Sequence, residues 1–394
     1  MRQAERALFD LRRGLPILLR QPAGDTLVQA VEGLDDDALA ALQSLTGSYA
    51  RLVLSQHRMA ALGHRGGPEA VALTLSPQPA ARTQRELAWM RGATLPAGTT
   101  ETPANAAERA ALRLLGRAQL VPAAIACTVT SAQAGAVAAE VANGNLLAVG
   151  AAEALRLCEY GPGTLTRISE ARVPLAEAEN SRFVLFREAD GVHEHVAIVI
   201  GDAAEWPEAV PVRLHSSCLT GDLFGSLRCD CGEQLRRGVA AISAQGGGVL
   251  LYLSQEGRGI GLANKLRAYG LQDEGLDTID ADQVIGFSKD ERNFRVAHEM
   301  LDQLGVHKVL LLTNNPSKVE ALQHAGINVV ARQAIYGEVT TQNQRYLHTK
   351  ANRHGHWLHE LLTEQLNGTD GCSHHRLGAQ PRGDAAVAGA LALA

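Results

Sequence analysis

Apolar and polar positions along the chain fall into two patterns. Over residues 5–20 the apolar side chains recur at helical spacing, meet a Gly-Leu-Pro break and continue as a short apolar run, which predicts an amphipathic helix and then a strand. From 81 to 107 the text is rich in Pro, Thr, Gly and Ala and predicts an exposed connection. Alanine-rich helical text follows to about 160, where Gly and Pro punctuation ends a first α/β domain placed at 1–170. Beyond it, strand-like runs at 195–202, 210–216, 249–254, 308–313 and 328–331 alternate with helical ones at 231–246, 262–271, 293–305 and 318–326. Such alternation predicts a second α/β domain, placed at 171–365. Residues 366–394 show no periodicity and read as a tail.

Length and composition sharpen this only a little. A chain of 394 residues exceeds what one hydrophobic core usually organises, so two domains are expected. A net charge of −5 argues against a nucleic-acid binder, because affinity for a phosphate backbone comes from clustered Lys and Arg. Any phosphate site must therefore be built locally. Charges throughout the first thirteen residues are unlike a secretory leader, and no apolar run nears the roughly 20 residues that span a bilayer. A cytoplasmic protein without membrane contact is expected, and in a reducing compartment clustered cysteines point to metal rather than disulfides.

Three of the six cysteines, Cys218, Cys229 and Cys231, lie within fourteen residues. Three thiolates leave a fourth position open on a tetrahedral zinc ion, as in hydrolytic sites, where bound water ionises near pH 7. Two plainer readings stay open on spacing alone: a structural zinc site closed by His215, or three buried cysteines without metal. Gly257, Gly259 and Gly261, between a strand and a helix, permit close approach of the backbone to an anion, or make only a tight turn. In the segment 313–318 a strand delivers Thr313 to an Asn-Pro turn and Lys318 opens a helix, as phosphate partner or as solvated lysine.

The ordered motifs HSSCLTGDLFGSLRCDCGEQL, QEGRGIGLANKLRAYGLQDEG and LLTNNPSKVEAL, with HTKANRHGHWL near the end, resemble GTP cyclohydrolase II. That resemblance implies a catalytic domain with an α+β mixed sheet, acting in riboflavin synthesis. It implies hydrolysis of GTP to a diaminopyrimidinone nucleotide with release of formate and pyrophosphate. Zinc is implied on Cys218, Cys229 and Cys231, with magnesium on the GTP phosphates. GTP contacts are implied at Arg213, Leu214, His215, Ser216, Ser217, Gln234, Glu256, Gly257, Arg258, Thr278, Thr313 and Lys318. Tyr269 is implied near the base, Asp290 as proton acceptor, and Arg292 as nucleophile or charge stabiliser at the α-phosphate. A homodimer is implied too. Two other readings are a paralogue that opens the ring but keeps the formyl group, and a zinc- and GTP-binding scaffold without turnover.

Two positions depart from the family's pattern: Ser217 stands where glutamate is common, and Leu276 where an aromatic is frequent. The first domain weakly resembles 3,4-dihydroxy-2-butanone-4-phosphate synthase, but after its first strand the text QPAGD offers only Asp25 instead of a dense acidic and arginine cluster. A non-catalytic domain supporting folding or dimer contacts is expected. Cys127 and Cys158 read as packing residues, and His193, His195, His354, His356 and His359 as ordinary surface histidines. Cys372 and the histidines after it fall in the expected tail.

Overall fold

The computed structural model describes residues 2–160 and 165–358, so the expected tail, Cys372 and His359 lie outside the described residues. The described residues up to Trp357 pack as one compact unit built on two seven-stranded sheets. The first sheet has strands β1 (Ile17–Arg20), β2 (Thr26–Ala30), β3 (Arg51–Ser55), β4 (Ala70–Thr74), β5 (Thr100–Pro103), β6 (Ala123–Thr128) and β7 (Leu147–Gly150) in the order β5-β4-β3-β6-β2-β1-β7. All its pairings are antiparallel except that of β1 with β7. The helix Arg2–Arg12 and the strand after it lie where the helical spacing and the Gly-Leu-Pro break put them.

The segment 81–107 corrects the sequence expectation in part, because its two ends join the core while 90–103 is exposed or half-buried, as expected of a connection. Ala81–Trp89 is a helix that buries Ala81, Gln84, Leu87 and Ala88, Ala104 and Ala107 are buried at the other end, and β5 stays exposed at the edge of its sheet. Small alanines supply a packing face too weak to register as hydrophobic periodicity.

The second sheet comprises β8 (Thr166–Arg172), β9 (Ser181–Arg187), β10 (Glu194–Ile200), β11 (Val210–Ser216), β12 (Gly248–Leu253), β13 (Lys308–Leu312) and β14 (Asn328–Gln333), ordered β14-β13-β11-β12-β10-β9-β8. It is mixed. The half β14-β13-β11-β12 is parallel and the half from β12 to β8 antiparallel. Val212, Leu214, Val249, Leu251, Leu253, Val309 and Leu311 bury one face against the helix Arg295–Gln303, each full side-chain burial contributing about 1.5–3 kcal/mol. Sequence periodicity missed β8, β9, the helix Thr278–Ile285 and the helix Gln344–His354.

The helices Leu262–Asp273 and Thr278–Ile285, which follow β12, do not pack on their own sheet. Ile260, Ala268, Leu271, Ala281, Ile285 and Phe287 join Leu52, Leu54, Leu73 and Ile125 of the first sheet in one core cluster. No helix among the described residues is long and apolar enough to cross a membrane.

Candidate active site

Three adjacent parallel strands deliver the distant motifs to one place, since the carboxyl end of β11 leads to Cys218, that of β12 to Gln255–Gly261, and that of β13 to Thr313 and Lys318. Ligands in α/β sheets commonly lie at such carboxyl ends. Cys218 opens a short turn of helix, and Cys231 starts the helix Cys231–Ala244.

The Sγ atoms of Cys218, Cys229 and Cys231 lie within 4.8 Å of one another, with Cys218 and Cys229 at 3.7 Å. A tetrahedral zinc ion with bonds of about 2.3 Å sets its sulfurs about 3.8 Å apart, so this donor set fits. Glycine is required beside it, since a Cβ on Gly221 would sit 2.7 Å from the Cys229 Sγ and 3.1 Å from that of Cys218. Hydrogen bonds from the other two thiols draw the Cys218 thiol far below its ordinary pKa, while the bond to Cys218 pushes Cys229 up. The protein alone thus favours one thiolate, and a bound cation is what would hold all three ionised. Of the described residues, only these three cysteines form such a cluster.

His215 does not close the site. It is buried, stacked on Tyr252 at 5.5 Å, and its Nε2 is 3.1 Å from both Asp222 carboxylate oxygens. Asp222 also accepts from the Cys218 backbone N–H at 2.8 Å and from the Tyr252 hydroxyl at 2.9 Å, which fixes the first cysteine. Lys265, unremarked in the sequence, donates to the Cys218 Sγ at 3.1 Å, Thr220 Oγ1 at 3.0 Å and Glu256 Oε1 at 2.8 Å. Tyr269, one helical turn on, faces the same cleft under the Arg228 guanidinium, 4.9 Å from its ring centroid.

At the other end of the cleft stand Arg213 and Lys318, both buried. Arg213 donates to Leu312 O at 3.3 Å and Gln234 Oε1 at 2.8 Å, its Nε has no partner, and burial lowers its pKa to about 10. Lys318 donates to the Leu214 carbonyl at 2.6 Å; burial first, then Arg292, Arg213 and Lys350, hold its pKa well below the usual lysine value. Two buried basic groups with no ion pair among the described residues make a site that an anion completes.

Arg292 reaches the cleft held in a two-pronged ion pair by Asp290, with Nε 2.8 Å from Oδ1. Burial alone would raise the Asp290 carboxyl, but the hydrogen bonds and charge of Arg292 bring it below the ordinary range. Arg258, at a left-handed φ of 64°, is paired with Asp282. A non-glycine residue there stores backbone strain of about 1–3 kcal/mol, a cost typical of functional loops.

Most residues implied by the resemblance converge on this cleft: His215, Ser216, Ser217, Gln234, Glu256, Gly257, Arg258 and Thr278 line it beside the cysteines, Tyr269, Arg213, Lys318 and Arg292. Three stand differently. The Leu214 side chain is in the core and only its carbonyl serves, through Lys318. Thr313 is buried and its Oγ1 accepts from the Asn315 N–H at 3.0 Å. Asp290 sits behind Arg292 rather than on the wall.

Gly259 approaches not a ligand but the Glu291 backbone, 2.9 Å from where its Cβ would be. Leu276 turns to the first sheet's core, whereas Ser217 lines the cleft and its Oγ accepts from the Gln255 N–H at 3.2 Å. His195 is no surface residue, being buried between Glu188, at 3.2 Å, and the Ser254 N–H, at 3.0 Å. His356, Tyr346 and Lys350 also reach the cleft, on or just beyond a helix the periodicity missed.

The profile of the family described as GTP cyclohydrolase II matches residues 166–334. A GTP cyclohydrolase-2 from Azospirillum brasilense is 43% identical over 90% of this chain and 94% of its own length. One from Haemophilus influenzae is 49% identical over 50% of this chain and 91% of its own, so that match takes in half of this chain. A two-domain 3,4-dihydroxy-2-butanone 4-phosphate synthase structure from A. baumannii covers 85% of this chain at 16% identity and a TM-score of 0.31, too loose a likeness to carry an argument. With a near full-length relative at this identity and the family's ordered motifs gathered in one cleft, the chain belongs to the GTP cyclohydrolase II family.

Proposed function

We propose that the protein hydrolyses GTP to the diaminopyrimidinone nucleotide of riboflavin synthesis, releasing formate and pyrophosphate. One observation carries this reading: a single cleft joins three sulfurs at zinc-binding spacing to two buried basic groups, Arg213 and Lys318, that have no carboxylate partner among the described residues. Zinc held by Cys218, Cys229 and Cys231 supplies a water ionised near neutral pH, which an unactivated purine C8 requires. Lys265 and Asp222 fix the Cys218 end of that set, and Tyr269, which lines the same cleft, contacts the base in this reading.

Arg213 and Lys318 receive the phosphates, and magnesium travels with the triphosphate as part of the substrate's charge balance. Arg292 stabilises charge on the phosphate as pyrophosphate leaves. Asp290 fits the work of aiming Arg292 better than that of accepting a proton, because a carboxylate held below its ordinary pKa is a poor base. The first lobe, which ends before β8, is non-catalytic in this proposal, since the turn after β1 holds Asp25 as its only carboxylate. A homodimer belongs to the same reading, with sedimentation of the full chain as its test.

The deciding experiment incubates the zinc-loaded protein with GTP and magnesium and assays formate and pyrophosphate separately, repeated with Cys229→Ser. Release of both, lost in the variant, is expected. Pyrophosphate without formate would mean a truncated reaction, and neither product despite bound GTP would leave a scaffold.

A further inference from the structure

We infer that the first lobe anchors the Asp290–Arg292 loop through Ser55 and Arg58, so that a lobe without chemistry of its own positions the residue at the α-phosphate. This rests on the reading of Arg292 as a phosphate ligand.

The anchor begins at the end of β3. Ser55 caps the helix Gln56–Ala61, its Oγ accepting from the Arg58 N–H at 3.2 Å, and donates to the Gly286 carbonyl at 2.6 Å. Arg58 is 1% exposed and has no carboxylate partner among the described residues. It donates to Leu87 O at 2.7 Å and Met90 O at 2.8 Å in its own lobe, and to Val284 O at 2.9 Å at the end of the helix Thr278–Ile285. A buried guanidinium satisfied only by carbonyls is costly to keep unless it fixes a geometry. Here it ties two helix C-termini from different lobes, where a cation is electrostatically favoured.

Gly286 is the joint. Its φ is 103°, and a Cβ there would lie 3.2 Å from both Ser55 Oγ and Pro122 Cγ, so the first lobe presses directly on it. Phe287 buries in the first sheet's core cluster, and Asp290 and Arg292 follow within six residues of the joint. The other side of the loop is held by Glu291, whose N–H donates to Arg258 O at 3.1 Å. An arginine that must meet a phosphate within a few tenths of an ångström gains from a backbone fixed at both ends.

The test compares Ser55→Ala, which removes one hydroxyl, with Arg58→Lys, which keeps the charge but not the three-way fork, in the full chain. A positioning role predicts a fall in kcat of about three- to tenfold for Ser55→Ala with zinc content unchanged. It also predicts faster amide hydrogen exchange over 286–293, and no additive loss when Ser55→Ala is combined with Arg292→Lys. Arg58→Lys should follow in the same direction. Unchanged exchange over 286–293 in a folded Ser55→Ala protein overturns the anchor, as does a kcat loss that adds fully to that of Arg292→Lys. If the unmodified protein releases neither formate nor pyrophosphate, the GTP reading fails, while the exchange measurement still decides whether the first lobe holds the loop.

Discussion

Substituting Gly221 by alanine tests the metal site without touching a ligand. The new methyl carbon would stand 2.7 Å from Cys229 Sγ, 3.1 Å from Cys218 Sγ and 3.0 Å from Cys231 Cβ. Ordinary contacts between heavy atoms begin near 3.5 Å, so the carbon overlaps Cys229 by close to 1 Å and must push the sulfurs apart. The helix behind cannot yield, because Gly232 is packed so tightly that its own Cβ would lie 2.2 Å from the Gly221 carbonyl.

Overpacking of this kind costs about 1–3 kcal/mol, and if it falls on the metal-bound state it weakens zinc by roughly 5- to 150-fold. The assay is zinc competition against a chromophoric chelator, beside GTP binding and circular dichroism. We expect Gly221→Ala to keep its fold and bind GTP, through Arg213 and Lys318, yet to lose zinc affinity and formate release together. Unchanged zinc affinity with unchanged turnover would refute the argument that the three sulfurs form one geometric unit.

Two further outcomes follow from the charged end of the cleft. With its pKa held well below the usual value, Lys318 is protonated in the unfolded chain but sheds its proton in the folded one at pH values between the folded and unfolded pKa, so stability rises with pH across that window. Pyrophosphate binding restores the charge, and calorimetry in buffers of different ionisation enthalpy should show proton uptake that Lys318→Met abolishes; equal uptake in the variant would assign the proton elsewhere. Asp282 is raised to about 7, by burial first and then by Asp290, Glu291 and Asp277 against the pull of Arg258. The folded state therefore keeps a proton that the unfolded one has released, and stability falls as pH rises from about 4 to 7. The difference in unfolding midpoint between the unmodified protein and Asp282→Asn should change across that window, and a flat difference would count against a buried protonated carboxyl.

Sequence alone carried the family and much of the second lobe. Cysteine spacing limited the metal options to a few, strand and helix periods gave the alternation around β10 to β14, and long ordered motifs identified the family. These signals are local, because period, capping and ligand type are properties of neighbouring residues. Tertiary structure decided what local patterns do not encode. His215 could have closed a structural zinc site until its ring was found against Asp222. Lys265 looked like any helical lysine until its helix packed with Ala268 and Leu271 against the first sheet, bringing its ammonium to Cys218. Of the three glycines between β12 and the next helix, Gly257 lines the cleft, while Gly259 packs on the Glu291 backbone and Gly261 on the Gln119 side chain, and the ends of segment 81–107 became core because much of their packing face is made of alanine methyl groups that no hydrophobic period reveals. Arg58, one polar letter among apolar ones, is buried because four carbonyls from two lobes meet around it, a coincidence of distant chain segments that exists only once both lobes have folded together.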